Sequence, residues 1–418
     1  MNSLPSEEHK KMRLNIFSQL VLSKNFFALY MGQTLSSLGS SISFTIFPII
    51  VYQITKSTAQ MGLMMALSIL PNVIMLPFSG VLVDKLNKVK IMLVVDFIRF
   101  SLLIFLSLMA FSGSLTMVHL CVFMFIFGLI GSIFQPAYSS VRAKVFTKEI
   151  RNAANSLTQI SQRATRLIGP ILGGVIITSL SPGWGLGIDA ITYLISICFL
   201  FKLRSITFNS SITNKIKLNW KQDFIEGIDV LRQNSWLWIT ILACSFFNIC
   251  SSGIGRILIP WLIIEHHHFE PVVYGMILSS SSAGAIACGV IYGMKQQLYK
   301  RGILAYLGVA LSGIAVLVTP FVSNILLFMF LMFLNGAGVM LFALIWETSL
   351  QEMVPEDKFG RVSSLDFFGS FSLMPLGYIM TGWLSTNVGE INTTIILSIS
   401  ILLIAIAVLW NKGVRQYS

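Results

Sequence analysis

The amino-acid sequence predicts an all-α membrane protein with twelve transmembrane helices in two pseudo-symmetric bundles of six, and with both termini in the cytoplasm. Of its 418 residues, 55% are hydrophobic and only 11% are charged, whereas a soluble domain carries about 25% charged residues. Apolar runs long enough to cross ~30 Å of hydrocarbon, which takes about 20 helical residues, recur along the whole chain. The basic residues concentrate in every second connection between these runs.

The predicted spans follow one another with short connections, apart from one long polar segment in the middle of the chain. They lie at 26–50, 59–82, 91–111, 115–138, 154–180, 185–203, 236–263, 272–293, 303–321, 325–348, 362–385 and 392–410. We expect no cleavable signal peptide ahead of them, because the first 25 residues are polar and basic. The five cysteines all lie inside spans and are interpreted as packing residues rather than a disulfide framework. They are Cys121, Cys198, Cys244, Cys250 and Cys288.

The distribution of positive charge predicts the orientation in the membrane. Of the 29 lysines and arginines, five lie away from the basic loops, namely Lys56, Arg99, Arg163, Arg166 and Arg256. The other 24 lie at the two termini and in alternate loops. Because cytoplasmic loops are enriched in Lys and Arg, both termini are predicted to be cytoplasmic. The net charge of +12 then reflects membrane topology, and no nucleic-acid partner is expected.

The chain divides into two halves around residues 204–235, which contain "DFIEGIDVLRQN" and are predicted to hold an amphipathic surface helix. The predicted bundles are therefore 1–203 and 236–418. Two pairs of segments echo each other between the halves. They are "RAKVFTKEIRNAANSL" (142–157) with "QEMVPEDKFGRVSSL" (351–365), and "GPILGG" (169–174) with "PLGYIMTG" (375–382). Matched halves are typical of a transporter whose site lies near the membrane midplane.

Span 5 carries two arginines on a polar stripe. The residues that form it are Asn155, Gln159, Gln162, Arg163, Arg166, Pro170 and Gly173, whose spacing places them on one helix face. Either both guanidinium groups snorkel to the cytoplasmic surface, or they line a cavity. Because an intramembrane charge costs about 2.5–3.5 kcal/mol and such residues usually pair or face water, we expect the cavity role.

Four acidic residues lie in or near spans, with different predicted roles. Asp96 and Arg99 are one helical turn apart and are predicted to form a structural pair. Asp189, near the outer end of span 6, is interpreted as structural as well. Glu347, whose partial burial would raise its pKa toward neutrality, is the first candidate for proton coupling. Asp366, at the start of span 11, is the second.

The sequence resembles the major facilitator superfamily across all twelve spans. Residues 80–90, "GVLVDKLNKVK", resemble its signature between helices 2 and 3, with Gly80, Leu82 and Asp84 matching and Asn87 replacing a glycine. Further motifs resemble the branch of macrolide-efflux proteins and siderophore exporters, including staphyloferrin-type exporters. They are "GQTLSSLGSS", "VYQITKSTAQMGL", "DFIRF", "FQPAYSS", "GPILGG" and Q-x-x-V-P-x-x-x-x-G-R-V (351–362). Many members of that branch have an acidic residue after Gly39, where this chain has Ser40.

The resemblance implies a conformational latch in the helix 2–3 loop, made of Gly80, Asp84, Lys85 and Lys88. Gly80 would allow close backbone approach, and Asp84 would accept from a neighbouring helix N-terminus. The alternative is that the lysines only anchor the topology. The resemblance also places helices 1, 4, 7 and 10 along the substrate path. The polar candidates on these helices, in addition to Arg256 of span 7, are Gln33, Gln135, Tyr138, Asn248, Asn335 and Trp346.

Arg163, Arg166 and Arg256 outnumber the acidic residues expected in the path, so it is predicted to be net positive. Forked guanidinium groups fit carboxylates, and hydrophobic cations would be repelled. The resemblance implies an exporter. Together with the positive path it leads us to predict a multi-pass, proton-driven exporter of the plasma membrane, a monomer that works by alternating access and whose substrate is an anionic carboxylate-type siderophore. Its partners would be this small molecule, protons and the lipid bilayer. The alternative is a macrolide or multidrug efflux pump.

Other function classes are disfavoured by the sequence. No Walker A, H-E-x-x-H or G-x-S-x-G motif occurs, so no enzyme and no cofactor is expected. A membrane receptor or scaffold would need neither matched halves nor intramembrane charges. The run His266–His268 lies in a predicted outer loop and is interpreted as an exposed polar turn rather than a metal site.

Overall fold

The structure is a computed structural model that describes residues 23–147, 149–204, 226, 228–229, 231–232, 234–294, 299–355 and 358–417. Of the side chains within these ranges, those of Leu76, Pro77, Val81 and Asp84 also lie outside the description. Over the described residues the regular structure is helical, which confirms the predicted all-α class.

Six long helices make up the first half of the chain. They are α1 (Lys24–Thr55), α2 (Thr58–Lys85), α3 (Lys88–Phe111), α4 (Met117–Val145), α5 (Arg151–Ser179) and α6 (Pro182–Phe201). The second half continues with α7 (Ser235–His266), α8 (Pro271–Met294), α9 (Arg301–Val318), α10 (Ile325–Met353), α11 (Phe359–Phe371 and Met374–Val388), α12 (Glu390–Leu409) and the short α13 (Lys412–Arg415).

Ten of these helices are long and apolar enough to cross a membrane, counted over the described residues. The other two predicted spans correspond to α5 and α11. Helix α5 has 29 residues but carries the polar stripe with its two arginines. Helix α11 is interrupted at Ser372 and Leu373, which leaves segments of 13 and 15 residues. Pro375 lies in the first turn of the second segment, where proline is tolerated because it has no backbone N–H to donate to the preceding turn.

Helix α7 departs from α-helical geometry in its second half. It is α-helical over Ser235–Gly253, becomes π-helical over Ile254–Leu258, and is π-helical again over Leu262–His266. Such single-turn π segments occur frequently at functional sites. Arg256, one of the predicted path residues, lies inside the first of them.

The two halves repeat the same pairwise packing. Helix α3 packs on α6, and α9 packs on α12, six helices further along. Glycines make the matched contacts of α5 and α11: a Cβ on Gly173 would lie 3.0 Å from the Ile42 carbonyl oxygen of α1. A Cβ on Gly377 would lie 2.5 Å from the Ile249 carbonyl oxygen of α7. The echoed glycine motifs therefore allow equivalent helix approaches in each half.

Residue contacts divide the chain into two compact units. The first is drawn from Met1–Ile46, Ile74–Leu115 and Ile126–Asn209, and the second from the remaining residues, including Phe47–Val73 and Thr116–Phe125. Ends of α1, α2 and α4 thus pack with the second half, which differs from a division at residue 203. The predicted boundaries remain an interpretation of the sequence.

Most of the predicted linker helix lies outside the described residues. Those that are described within it, Glu226, Ile228, Asp229, Leu231 and Arg232, are helical. Glu226 forms an ion pair with Arg361, at 2.5 Å between Oε2 and Nη1. This contact attaches the linker to the start of α11.

Candidate functional site

A cavity of about 340 Å³ lies inside the first unit, between α1, α3, α4, α5 and α6. Its volume is in the range of small-molecule sites. The polar part of its wall includes Gln33, Ser37, Gln135, Tyr138, Ser161 and Gln162. Three of the sequence-predicted path residues, Gln33, Gln135 and Tyr138, are thus brought together.

Hydrogen bonding leaves part of this wall available to a ligand. The Tyr30 hydroxyl and the Ser161 Oγ lie 2.5 Å apart and join α1 to α5. The amide nitrogen of Gln33 is buried and has no hydrogen-bond partner among the described residues. Because a buried donor without a partner is costly, Gln33 is suited to donate to a bound molecule.

The charged group in the cavity wall is Arg99, which is 8% exposed. Its guanidinium carbon lies 4.6 Å from the ring centre of Phe134, 4.8 Å from that of Phe127 and 5.4 Å from that of Tyr193. Aromatic faces attract a cation at such distances, and more strongly when both are desolvated. The rings on α4 and α6 therefore stabilise a buried positive charge.

Arg99 also forms an ion pair with Asp96, as the sequence spacing suggested. Its Nη1 lies 3.6 Å from Asp96 Oδ1, which is beyond hydrogen-bond distance. The other carboxylate oxygen accepts from the Ser196 hydroxyl of α6 at 2.7 Å. Asp96 Oδ1 and Arg99 Nε are both buried without a hydrogen-bond partner among the described residues. The two side chains are therefore close, but their hydrogen-bonding capacity is not fully used.

Asp189 lies in the protein interior, and its interpretation as a structural residue stays a prediction. It is 2% exposed, and a Cβ on Gly39 of α1 would lie 2.6 Å from its Oδ1. The side chain also faces Ser43 of α1 and Arg99 of α3. Helix α6 packs on α3, so its inward face is in the protein interior rather than in lipid.

Ser40, which replaces the acidic residue found in many members of the resembling branch, joins the same cluster. Its hydroxyl lies 2.7 Å from the Tyr193 hydroxyl and donates to the Ser36 carbonyl at 2.9 Å. Both Ser40 and Tyr193 line the cavity. Helix α1 therefore has no carboxylate at this position, whereas α3 supplies Asp96 and α6 supplies Asp189.

Arg163 and Arg166 are exposed and are not among the residues that line this cavity. The cavity takes Ser161, Gln162 and Thr165 from α5 instead. Because α5 begins at Arg151 and rises 1.5 Å per residue, Arg163 lies ~18 Å along the helix axis. Their role in a substrate path stays a prediction.

The predicted path residues of the second unit form separate contacts. Asn248 donates to the Ser370 carbonyl at 2.9 Å, and Asn335 donates to the Ser312 hydroxyl at 2.7 Å. These two amides therefore serve helix-to-helix contacts. Arg256 interacts electrostatically with the hydroxyls of two buried tyrosines, Tyr274 and Tyr378.

The two proton-coupling candidates differ in their surroundings. Glu347 is exposed, and its Oε1 accepts from Gln351 at 3.1 Å, so the partial burial expected of it is wrong. Its neighbour Trp346 is buried because successive helical residues point in different directions. The Trp346 indole nitrogen donates to Asp366 at 3.2 Å, and the Ser370 hydroxyl donates to Asp366 at 3.1 Å.

The helix 2–3 loop differs from the predicted latch. A Cβ on Gly80 would meet nothing within 4 Å among the described residues, so the predicted close backbone approach is not seen there and stays a prediction. The Asp84 side chain lies outside the description, and Lys85 is exposed. Sequence reasoning missed Asn87, whose side chain caps α3 by accepting from the Val89 and Lys90 amides. The latch therefore remains a proposal.

The histidine run is partly buried, unlike the predicted exposed turn. His266 stacks on Trp261 at 5.9 Å, and His267 stacks on Phe269 at 5.4 Å. Only His268 of the three is exposed. Burial, helped by the neighbouring His266, lowers the pKa of His267. Among the described residues no three His, Cys, Asp or Glu side chains converge as metal ligands.

The sequence matches a protein-family model over residues 18–418, the transmembrane secretion effector family of major facilitator transporters. The chain belongs to this family. It is therefore a multi-pass membrane protein, of the plasma membrane in bacteria, and its relatives are transporters rather than enzymes.

Curated relatives of similar length include efflux proteins. Macrolide efflux protein A of Streptococcus pyogenes is 24% identical over 387 residues, covering 92% of this chain and 94% of that protein. Multidrug efflux pump Tap of Mycolicibacterium fortuitum is 21% identical over 388 residues, covering 90% and 93%. Among solved structures, an inward-facing bacterial homologue of the iron transporter ferroportin has a TM-score of 0.69 at 15% identity, covering 92% and 98%. This last similarity shows the fold.

The site residues that sequence reasoning missed lie mainly on α6. Asp189, Thr192, Tyr193 and Ser196 follow one another at steps of three, one and three, which is the spacing of one helix face. The same spacing identified the stripe on α5. A search for polar stripes in every span would have found this face.

Proposed function

We propose that this protein exports drug-sized amphipathic molecules, neutral or singly cationic and including macrolides, across the plasma membrane. The observation that carries this proposal is the lining of the cavity in the first unit. Hydroxyl and amide groups alternate there with aromatic rings such as Phe127 and Phe134. Apolar walls with a few placed polar groups are typical of sites for such ligands.

The charge of the cavity favours this substrate class over an anionic chelator. Among the described residues that line the cavity, Arg99 is the one that carries a full charge, and Asp96 is already paired with it. A carboxylate-type siderophore presents several anionic groups, which need several guanidinium or ammonium partners. Arg163 and Arg166 do not supply them in this cavity. The siderophore thus becomes the second candidate substrate.

The relatives support export as the direction of transport. Macrolide efflux protein A and multidrug efflux pump Tap are both efflux proteins by name, and each aligns with about nine-tenths of this chain. In this proposal the pump is a monomer with cytoplasmic termini, driven by the proton gradient. A macrolide would place sugar hydroxyls against groups such as Gln33 and Gln135, and apolar surface against the rings.

The test is drug accumulation in a bacterial strain that lacks its own efflux pumps. Cells that express the protein should hold less erythromycin than cells with an empty vector, and an uncoupler should remove the difference. Retention of a citrate-type chelator should be unchanged. If the protein lowers retention of the chelator and leaves erythromycin unchanged, the siderophore assignment is correct and the drug assignment is wrong.

A matched pair of variants ties the export to the cavity. Gln135→Leu removes a lining amide at constant size, and losing one hydrogen bond of about 0.5–1.5 kcal/mol should weaken erythromycin binding roughly 2- to 10-fold. Gln60→Leu makes the same change at an exposed residue of α2 outside the cavity. Equal effects of the two variants would place the drug elsewhere.

A further inference from the structure

The geometry points to a proton-carrying site made of Asp96, Arg99 and Asp189, behind the wall of the cavity. One exchangeable proton is held by one or the other of the two carboxylates, and Arg99 connects the state of that proton to a molecule in the cavity. This inference rests on the proposed export function and names the group that exchanges protons for drug. The residues predicted from the sequence for this role, Glu347 and Asp366, belong to the second unit.

The first argument is charge balance in a desolvated setting. Asp96 is 0% exposed, Asp189 is 2% exposed and Arg99 is 8% exposed. With both acids ionised the cluster carries one uncompensated negative charge, which is costly in a low-dielectric interior. One proton on the carboxylates makes the cluster neutral. Two acids that share one cation thus retain a proton that a simple Asp–Arg pair would not.

The second argument is that, among the described contacts of the cluster, the neighbouring helices supply no neutralising charge. Helix α1 contributes Gly39, Ser40 and Ser43, and α4 contributes aromatic rings. Among the described residues, Arg99 of α3 and Tyr193 of its own helix interact electrostatically with Asp189, and Tyr193 interacts with Asp96 as well. Any change in the charge of Asp189 must therefore be compensated through Arg99 or by a proton.

The third argument is access from the cavity. Arg99, Ser40 and Tyr193 line the cavity, while the two carboxylates are buried and are not among its lining residues. Tyr193 is one helical turn from Asp189, and its hydroxyl contacts Ser40. A proton from cavity water binds a carboxylate oxygen and forms an O–H bond. On release, that bond breaks and the proton returns to water, so no other reactant is needed.

The coupling follows from the unsaturated pairing of Arg99. Its Nε and the Asp96 Oδ1 lack hydrogen-bond partners among the described residues, and the two groups are 3.6 Å apart. Arg99 can therefore strengthen its contact with a carboxylate when that group loses its proton. The guanidinium also lies against Phe127 and Phe134, which face the cavity. A drug that binds these rings shifts Arg99 toward the acids and favours proton release, and linkage makes the effect reciprocal.

The first experiment needs no substrate. Infrared difference spectra of the purified full-length protein between acidic and alkaline pH should show the carbonyl band of a protonated aspartic acid. The band should disappear or shift in both Asp189→Asn and Asp96→Asn. The matched control is Asp229→Asn, at an exposed acid in the linker region, where the band should be unchanged. A band unaltered in both cluster variants overturns the inference.

The second experiment measures coupling in proteoliposomes. In the wild type, acidification should weaken erythromycin binding by about tenfold per pH unit, the slope for exchange of one proton. Asp189→Asn should bind erythromycin with a flat pH dependence, and it should not accumulate the drug in response to a pH gradient. Gradient-driven accumulation at the wild-type level in this variant would contradict the inference.

The two proposals fail in different ways. If the wild type neither binds nor moves erythromycin but its infrared band depends on Asp189 and Asp96, the proton site stands and the substrate assignment is wrong. If the wild type exports erythromycin and the band does not depend on them, the substrate assignment stands and the proton site is wrong. Should Asp189→Asn not fold, Asp96→Asn and the wild-type slope still decide the question.

Discussion

The Trp261 indole nitrogen donates a hydrogen bond to the Tyr52 hydroxyl, 3.2 Å away, and so joins α7 to the end of α1. Beside it, Lys56 Nζ lies 3.8 Å from Glu265 Oε2. In the predicted orientation both contacts lie on the outer side of the membrane. They connect helices of the two sequence halves, and release of a substrate to the outside would require them to open.

We therefore expect a covalent link at this position to stop transport. Lys56→Cys combined with Glu265→Cys, treated with a short reducible thiol cross-linker, should lose erythromycin efflux and recover it after reduction. Each single-cysteine variant treated in the same way controls for reaction with the native cysteines. Full efflux by the cross-linked protein would show that this contact does not open during transport.

Neutralising Glu347 should have little effect on coupling. The side chain is exposed and accepts a hydrogen bond from Gln351, four residues further along its own helix. Surface changes usually alter free energies by less than about 0.5 kcal/mol, so Glu347→Gln should retain gradient-driven efflux within about twofold of the wild type. Loss of uphill efflux with preserved binding would return the coupling role to Glu347.

Replacing Arg163 by lysine tests the predicted anionic path. Neither Arg163 nor Arg166 lines the cavity, so Arg163→Lys and Arg166→Lys should leave erythromycin binding unchanged. The comparison is Gln162→Ala, which changes a residue of the same helix that does line the cavity and should weaken erythromycin binding. A forked guanidinium is not equivalent to an ammonium. A 10- to 150-fold loss of chelator export in the lysine variants, the size of about 1.5–3 kcal/mol from a charged hydrogen bond, would instead support the anionic path.

A methyl group on Gly377 should destabilise the contact between α7 and α11. Its carbon would lie 2.5 Å from the Ile249 carbonyl oxygen and 2.7 Å from the Ile249 Cα, both of which belong to backbone. Gly377→Ala should lower the free energy of unfolding by about 1–3 kcal/mol, as other overpacking changes do. In Gly293→Ala the new carbon meets nothing within 4 Å among the described residues, and it should raise helix stability by up to about 1 kcal/mol. Thermal unfolding in detergent measures both, and equal Tm shifts would contradict the packing argument.

The stability of the protein should decrease below neutral pH in part because of His267. Its pKa is lowered in the folded protein by burial and by His266, so the unfolded chain takes up a proton at a higher pH than the folded one. The stabilising contribution is therefore complete above the ordinary histidine pKa of about 6.5 and is lost as the pH falls through the lower folded value. His267→Gln should flatten the dependence of Tm on pH between about 7.5 and 5, while His268→Gln, at the exposed neighbour, should not. An unchanged slope in His267→Gln would assign the dependence to other groups.

The sequence predicted the helices well because apolar length is a strong local signal. The twelve apolar runs correspond to α1–α12, and the echoed glycine motifs correspond to equivalent contacts such as Gly173 with α1 and Gly377 with α7. The break in α11 was not predicted, because Pro375 was considered only as part of a repeat. Nor did periodicity reveal the π-helical turns of α7.

The candidate site was predicted only in part, for a physical reason. Gln33, Gln135 and Tyr138 were found because polar residues in an apolar helix are conspicuous. Arg163 and Arg166 were predicted from a polar stripe and do not line this cavity, because such a stripe shows which residues avoid lipid but not which cavity they face. Asp189 was interpreted as structural from its place near the outer end of span 6, because its proximity to Gly39, 150 residues earlier, is not visible in the local sequence.

The π-helical turns of α7 also affect how this helix is compared with others. A π turn closes its hydrogen bond one residue later than an α turn, so each of the two segments adds a residue to the same axial length. A helical wheel drawn through Ser235–His266 at 100° per residue therefore assigns residues beyond Ile254 to the wrong face. A relative that lacks one of these turns aligns with this chain only through a one-residue gap inside a membrane span. Such a gap marks an inserted residue that the helix absorbs, and not a misaligned sequence.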